Sequence, residues 1–146
     1  MLRRSATRFP DKPAIVLRSP QCREVTLYRE LDARANQLAN ALLALDLAPA
    51  TKVSMLSRNL SEYGTVFFAL ARTGHVLNNV SVLYANEELG WVLRKSDTEV
   101  LIVDGQFAHR LSTVRQACPR IRHVIVIGPD APPDCITWND FLADAP

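Results

Sequence analysis

The chain has 146 residues, 48% hydrophobic and 22% charged, with 17 Lys/Arg against 15 Asp/Glu and a formal net charge of +2. This is a globular composition, which excludes an extended disordered chain; so small a net charge, with no basic stripe along one helix face, gives no argument for a nucleic-acid partner. No apolar run approaches the roughly 20 residues that a membrane span needs, and a chain of this length can bury about two-thirds of its unfolded surface in one core.

The basic residues gather at the start, where the first thirty positions hold Arg3, Arg4, Arg8, Lys12, Arg18, Arg23 and Arg29 against Asp11, Glu24 and Glu30. The opening Met1-Leu2-Arg3-Arg4-Ser5-Ala6-Thr7-Arg8 resembles an Arg-rich, acid-poor organelle transit segment. A cytoplasmic location is expected, with a mitochondrial one as the alternative. The plainer reading of the opening is a short surface helix that stops at Phe9-Pro10, because a residue before proline is pushed out of the helical region.

Residues 14–17 and 24–27 are short strands joined by Arg18-Ser19-Pro20-Gln21-Cys22-Arg23, a hairpin with a longer loop. From Tyr28 to about Leu45 the apolar Leu31, Ala35, Leu38, Leu42 and Leu45 recur at spacings of four and three, one buried helical stripe. Glu30 and Arg34 stand in the favourable order for an i,i+4 pair, and Pro49 marks the end. Residues 53–57 read as a strand. Asn59 or Ser61 caps the next helix, whose buried side is Tyr63, Val66, Phe67 and Leu70 and which stops at Gly74.

Residues 76–82 form a further strand, after which Asn86 is the N-cap of a helix from Glu87 to about Lys95. Its first-turn acids and last-turn bases complement the helix dipole. Residues 100–103 and 124–127 are unbroken apolar runs, the pattern of strands covered on both faces in a parallel sheet. Between them Phe107, Leu111, Val114 and Cys118 repeat the helical spacing, which makes Cys118 a small core residue rather than a nucleophile. The composition changes at Pro129-Asp130-Ala131-Pro132-Pro133-Asp134, a stiff connector, and residues 137–142 form a last short helix.

The alternation predicts an α/β fold, a mainly parallel sheet flanked by helices and preceded by a short N-terminal β-hairpin. Two parts are expected: an α/β subdomain over residues 1–128 and a connector with its terminal helix over 129–146.

Groups able to do chemistry are scarce. Cys22, Cys118 and Cys135 include no close pair, so neither a disulfide framework nor a zinc knuckle is suggested, and they fit a reducing compartment. Asn59-Leu60-Ser61 and Asn79-Val80-Ser81 are chance matches to the glycosylation sequon. The five glycines, Gly64, Gly74, Gly90, Gly105 and Gly128, stand alone, four of them near element ends. They build neither a Gly-x-Gly-x-x-Gly turn nor a P-loop, which counts against a nucleotide-dependent oxidoreductase. There is no Gly-x-Ser-x-Gly elbow. His75, His109 and His123 are too scattered for a metal site, and Trp91 and Trp138 read as packing residues.

The segments taken in order carry a resemblance. Phe9-Pro10-Asp11-Lys12-Pro13-Ala14-Ile15-Val16, then Leu27-Tyr28-Arg29-Glu30-Leu31-Asp32-Ala33-Arg34-Ala35-Asn36-Gln37-Leu38-Ala39, look like the beginning of the AMP-forming acyl-CoA synthetases of the adenylate-forming superfamily. Val53-Ser54-Met55-Leu56-Ser57-Arg58-Asn59, the helix to Gly74, Asn86-Glu87-Glu88-Leu89 and Val100-Leu101-Ile102-Val103-Asp104 continue it in register. The resemblance implies part of the N-terminal domain of that fold and a place in fatty acid metabolism. It implies a reaction in two halves: a carboxylate attacks the α-phosphate of ATP to give acyl-AMP, and coenzyme A thiol then displaces AMP.

ATP, Mg2+ and coenzyme A are the cofactors implied for the full-length family, and a small carboxylic acid its substrate. The family's Ser/Thr/Gly-rich phosphate loop and catalytic lysine are expected beyond Pro146, so this chain is expected to bind none of the cofactors and to be inactive alone. No catalytic, cofactor-binding or metal residue is assigned. Asn59, at a strand end where open α/β sheets bind ligands, is expected rather to cap a helix.

The sequence departs from the family at local positions. Leu27 stands where a threonine would complete a capping box, a loss of about 1 kcal/mol. Asp46 and Ala50 replace glycines, and Asn79, Ser81 and Asn86 stand where proline, asparagine and proline are common. The other reading is a non-catalytic binding or interaction module derived from such an enzyme, with an uncovered sheet edge through which it self-associates.

Overall fold

A computed structural model describes residues 1–129, 131–143 and 145; the expected connector's Asp130 and the final Pro146 lie outside the described residues. The opening segment is a helix, α1 (Leu2–Arg8), which ends before Phe9-Pro10 as expected. Its Leu2 is buried against Leu31 and Ala35, so the segment is built into the fold. β1 (Pro13–Arg18) and β2 (Arg23–Leu27) form the antiparallel hairpin. In its loop the Ser19 hydroxyl accepts from the backbone N–H groups of Gln21 and Cys22.

The main sheet contains β3 (Lys52–Leu56), β4 (Val76–Val80), β5 (Thr98–Asp104), β6 (His123–Ile127) and β7 (Ile136–Thr137). The strands run parallel in the order β4-β3-β5-β6-β7. The two-residue β7 was not read from the sequence, because a strand that short has no periodicity. Residues 81–82, expected in a strand, lie beyond the end of β4.

Helices cover both faces. On one side α2 (Tyr28–Leu43) and α3 (Glu62–Thr73) lay Leu38, Leu42, Val66 and Leu70 against Val53, Met55, Val100, Ile102 and Ile125. Trp138, Phe141 and Leu142 of α6 (Trp138–Ala143) join that layer. On the other side α4 (Asn86–Lys95) and α5 (Leu111–Ala117) set Leu89, Leu93, Leu111 and Val114 against Leu56, Leu101, Val103, Val124 and Val126. The helix expected across residues 107–118 is split: Gly105–Arg110 is a 3-10 helix started by Asp104, whose side chain accepts from Gln106 N, and α5 follows. Phe67, expected inside, is 55% exposed, since Thr65, Val66, Ala69 and Leu70 form the buried arc of α3 and leave position 67 on its flank. A Cβ at Gly64 would lie 2.5 Å from Ile15 Cδ1, so the hairpin packs closely on α3 here and a larger residue would make the Ile15 side chain shift.

Helix starts show how Leu27 and Asn86 are accommodated. Leu27 has no acceptor to offer, but Glu30 Oε2 accepts from Leu27 N at 2.8 Å, which preserves one half of the capping box. Glu30 therefore turns back to the helix start rather than pairing with Arg34. At α4 the N-cap is Ala85, not Asn86, and Glu88 Oε2 accepts from Ala85 N at 2.8 Å.

Asp46 and Ala50, standing where the resemblance implies glycines, adopt glycine-like geometry. Asp46 has φ 49° and Ala50 φ 59°, joined by Asp97 at 53°. Only Gly74 and Gly128 among the glycines have positive φ. Left-handed backbone costs an alanine about 1 kcal/mol, and Ala50 is exposed, so its methyl gives little in return. Ala50→Gly is accordingly expected to raise stability by about 1 kcal/mol, read as a higher urea midpoint at unchanged slope. An unchanged or lower midpoint would contradict the strain.

Candidate functional site

In a parallel sheet, ligands bind where adjacent strands send their chains to opposite faces. Here that point lies between β3, which leads into α3, and its neighbour β5, which leads through the 3-10 helix to α5 on the other face. The guanidinium of Arg58, just past β3, spans it, with its carbon 6.0 Å from the Phe107 ring centre.

Beside it opens a cleft of about 650 Å³ at the carboxyl ends of β3 and β4. The hairpin contributes Leu17, Arg18 and Ser19, the β3 end Ser57, Arg58 and Asn59, and the β4 end residues 80–83. No carboxylate lines this cleft, and neither Arg18 nor Arg58 has an ion-pair partner among the described residues. Such a surface can hold an anion or a polar group, but it presents no acid, base or nucleophile for bond-making.

Asn59 belongs to this cleft and not to the helix start. Ser61 occupies the position before α3 and makes no side-chain cap; its hydroxyl donates instead to Glu24 Oε1 at 2.7 Å and to Glu62 Oε2 at 3.1 Å. Cys118 is buried and donates its S–H to Gly90 O at 3.2 Å, a core residue as its spacing predicts. Trp138 packs in the core, but Trp91 is 59% exposed and lines a second cavity of about 790 Å³ with Tyr84, Glu87, Glu88 and Val92. Trp91 misses the core because Leu89, Gly90 and Leu93 hold the buried side of α4. His75, His109 and His123 are not brought together. Among the described residues no three His, Cys, Asp or Glu side chains gather where they could hold a metal ion.

A buried cation bonded to residues that line both cavities was missed by the sequence reading. Arg110 is only 8% exposed and donates through Nε to Asn86 Oδ1 at 2.9 Å, through Nη1 to Val82 O at 3.4 Å and through Nη2 to Tyr84 O at 2.5 Å. It fastens the β4–α4 loop by its backbone, and charged donors make the stronger class of such bonds. Nothing in the spacing around Arg110 marked it, since its acceptors lie about 25 positions earlier and two of them are carbonyls.

The AMP-binding enzyme family model matches residues 2–145. The chain belongs to the AMP-binding enzyme family. It is 32% identical over 123 residues to a long-chain-fatty-acid–CoA ligase of Salmonella typhimurium, a match covering 84% of this chain and 21% of that protein. It is 31% identical over 105 residues to a 3-oxocholest-4-en-26-oate–CoA ligase of Rhodococcus rhodochrous, covering 72% of this chain and 19% of the relative. The crystal structure of an anthranilate CoA ligase in complex with anthranoyl-AMP superposes with a TM-score of 0.87 at 27% identity, over 99% of this chain and 27% of that one. This AMP-binding-family chain thus spans about a fifth of the length of the curated relatives it matches. The parallel sheet and its preceding hairpin are those of the adenylate-forming fold.

Two histidines of this family member bear on its pH response. Burial lowers the pKa of His75, whose buried Nδ1 has no hydrogen-bond partner. Burial also lowers that of His123, helped by Arg122 and opposed by Glu99. Groups whose pKa is lowered on folding take up protons more readily unfolded, so their contribution is present above about pH 6.5 and is lost as pH falls below it. The urea midpoint should therefore drop on acidification through that range, and the drop should shrink in His75→Gln/His123→Gln. An equal drop in the double variant would place its cause elsewhere.

Proposed function

We propose that this chain is the N-terminal segment of an ATP-dependent acyl-CoA ligase, which joins a carboxylic acid to coenzyme A through an acyl-AMP intermediate. The reading rests on the fit of almost the whole chain to about a quarter of an anthranilate CoA ligase, supported by curated relatives named for ligation of long-chain and steroid acids.

ATP and coenzyme A would be the cofactors of the complete enzyme, with Mg2+ to offset phosphate charge. The described residues do not fit these groups as a reaction centre. They gather no carboxylates for a metal, and the positive-φ glycines, Gly74 and Gly128, stand singly rather than in a phosphate-cradling turn. No catalytic step is therefore derived through them. What this segment contributes is a rigid parallel sheet whose carboxyl edge, with the Arg58–Phe107 contact and the loop fastened by Arg110, is a wall of fixed shape. The chain by itself is proposed to be inactive.

A segment exchange tests both parts. Substituting these 146 residues for the matching portion of the Salmonella ligase should retain acyl-CoA formation, whereas this chain alone should give no ATP–pyrophosphate exchange. A folded but inactive hybrid, or exchange by the isolated chain, would overturn the proposal.

A further inference from the structure

The positive charge of this chain is concentrated on one face. Leu2 turns inward, and the outward side of α1 carries Arg3, Arg4, Thr7 and Arg8, all exposed. Arg8 and Lys12 both lie over the Phe9 ring, at 5.2 and 4.3 Å from its centre. Beside α1, Met1 and Arg3 share a cleft with Phe67 and Arg72 of α3. The acids of this region are already committed: Asp11 pairs with Arg29, and Asp32 with Arg72. Six basic side chains against two acidic ones leave four positive charges here, Arg3, Arg4, Arg8 and Lys12, more than the +2 of the whole chain. Among them stand three exposed apolar side chains, Met1 at 106%, Phe9 at 37% and Phe67 at 55%.

We propose that this face docks on an anionic lipid surface. A polybasic patch is drawn to the surface potential of acidic lipids, at about 1 kcal/mol per Lys or Arg close to the bilayer. Alone that attraction is weak and reversible, and useful attachment takes a second signal. Phe9 and Phe67 supply it, because apolar side chains beside the guanidiniums can enter the headgroup boundary while the charges meet phosphates. The mixture favours lipid over nucleic acid: the apolar groups are single and separated, rather than a row of aromatic platforms for bases. Docking here leaves the carboxyl edge of the sheet free, since that edge is built from the hairpin loop and the ends of β3 and β4.

Co-sedimentation of the 146-residue chain with vesicles of phosphatidylcholine, with or without phosphatidylglycerol, is the test. Binding is expected only to the acidic vesicles, weakening as salt is raised. Arg3→Gln/Arg4→Gln/Arg8→Gln, which touches no buried side chain, should lower the affinity at least about tenfold while leaving circular dichroism and the urea midpoint unchanged. Phe67→Ser should weaken binding further without altering its salt dependence. Absence of binding to acidic vesicles, equal binding to neutral ones, or full binding by the triple variant would overturn the proposal. Binding to a DNA duplex as tight as to acidic vesicles would assign the face to nucleic acid instead.

Discussion

Burial of the two central strands on both faces is the constraint from which the rest of this architecture follows. β3 and β5 each pair with parallel neighbours on both edges, so neither has a free edge. Val53, Met55, Val100 and Ile102 point to one layer, Leu56, Leu101 and Val103 to the other, and all are 0% exposed. At about 1.5–3 kcal/mol for each large apolar side chain, this core requires helices above and below. The requirement places α2 and α3 on one face and α4 and α5 on the other. It thereby makes the chain leave β3 and β5 in opposite directions, and the crevice spanned by Arg58 and Phe107 is a consequence of that divergence.

One polar cluster interrupts the apolar layers, and it is internally satisfied. The hydroxyls of Ser54 and Thr98 are 2.6 Å apart, and those of Ser96 and Thr98 2.7 Å. Asn78 Nδ2 donates to both Ser54 and Ser96, at 2.8 and 3.1 Å. The cluster ties β4, β3 and β5 together across the sheet, at the point where the β3–β5 register steps from Lys52 opposite Thr98 to Val53 opposite Val100. A buried hydroxyl costs stability only when left unpaired, so this ring fixes alignment without a desolvation loss. At the other end of the strands Arg110 does the same for the β4–α4 loop.

Periodic apolar patterns made most of this legible. Leu31, Ala35, Leu38 and Leu42 announced α2, and the runs 100–103 and 124–127 announced doubly covered strands. Pattern fails where a residue is placed by distant partners. Phe67 and Trp91 have core-like side chains, yet their helices bury other arcs. Asn59 and Asn86 are good caps by type, but Ser61 and Ala85 hold the cap positions. Arg110 was illegible because its acceptors exist only once the loop is folded. The lipid-facing charge was half visible: the basic opening could be counted, but Phe67 joins it through a contact between α1 and α3 that spacing does not encode. The glycine departures were legible as exceptions, and Asp46 and Ala50 do adopt left-handed backbone.

Native-state hydrogen exchange tests the central role of the doubly buried strands most directly. If β3 and β5 are the constraint on which the fold depends, the amides of Val53, Ser54 and Met55 and of Leu101, Ile102 and Val103 should exchange slowest, and only through global unfolding. Those of the β1–β2 hairpin and α1 should open at a lower free energy. Exchange in the central strands as fast as in the hairpin would contradict the account.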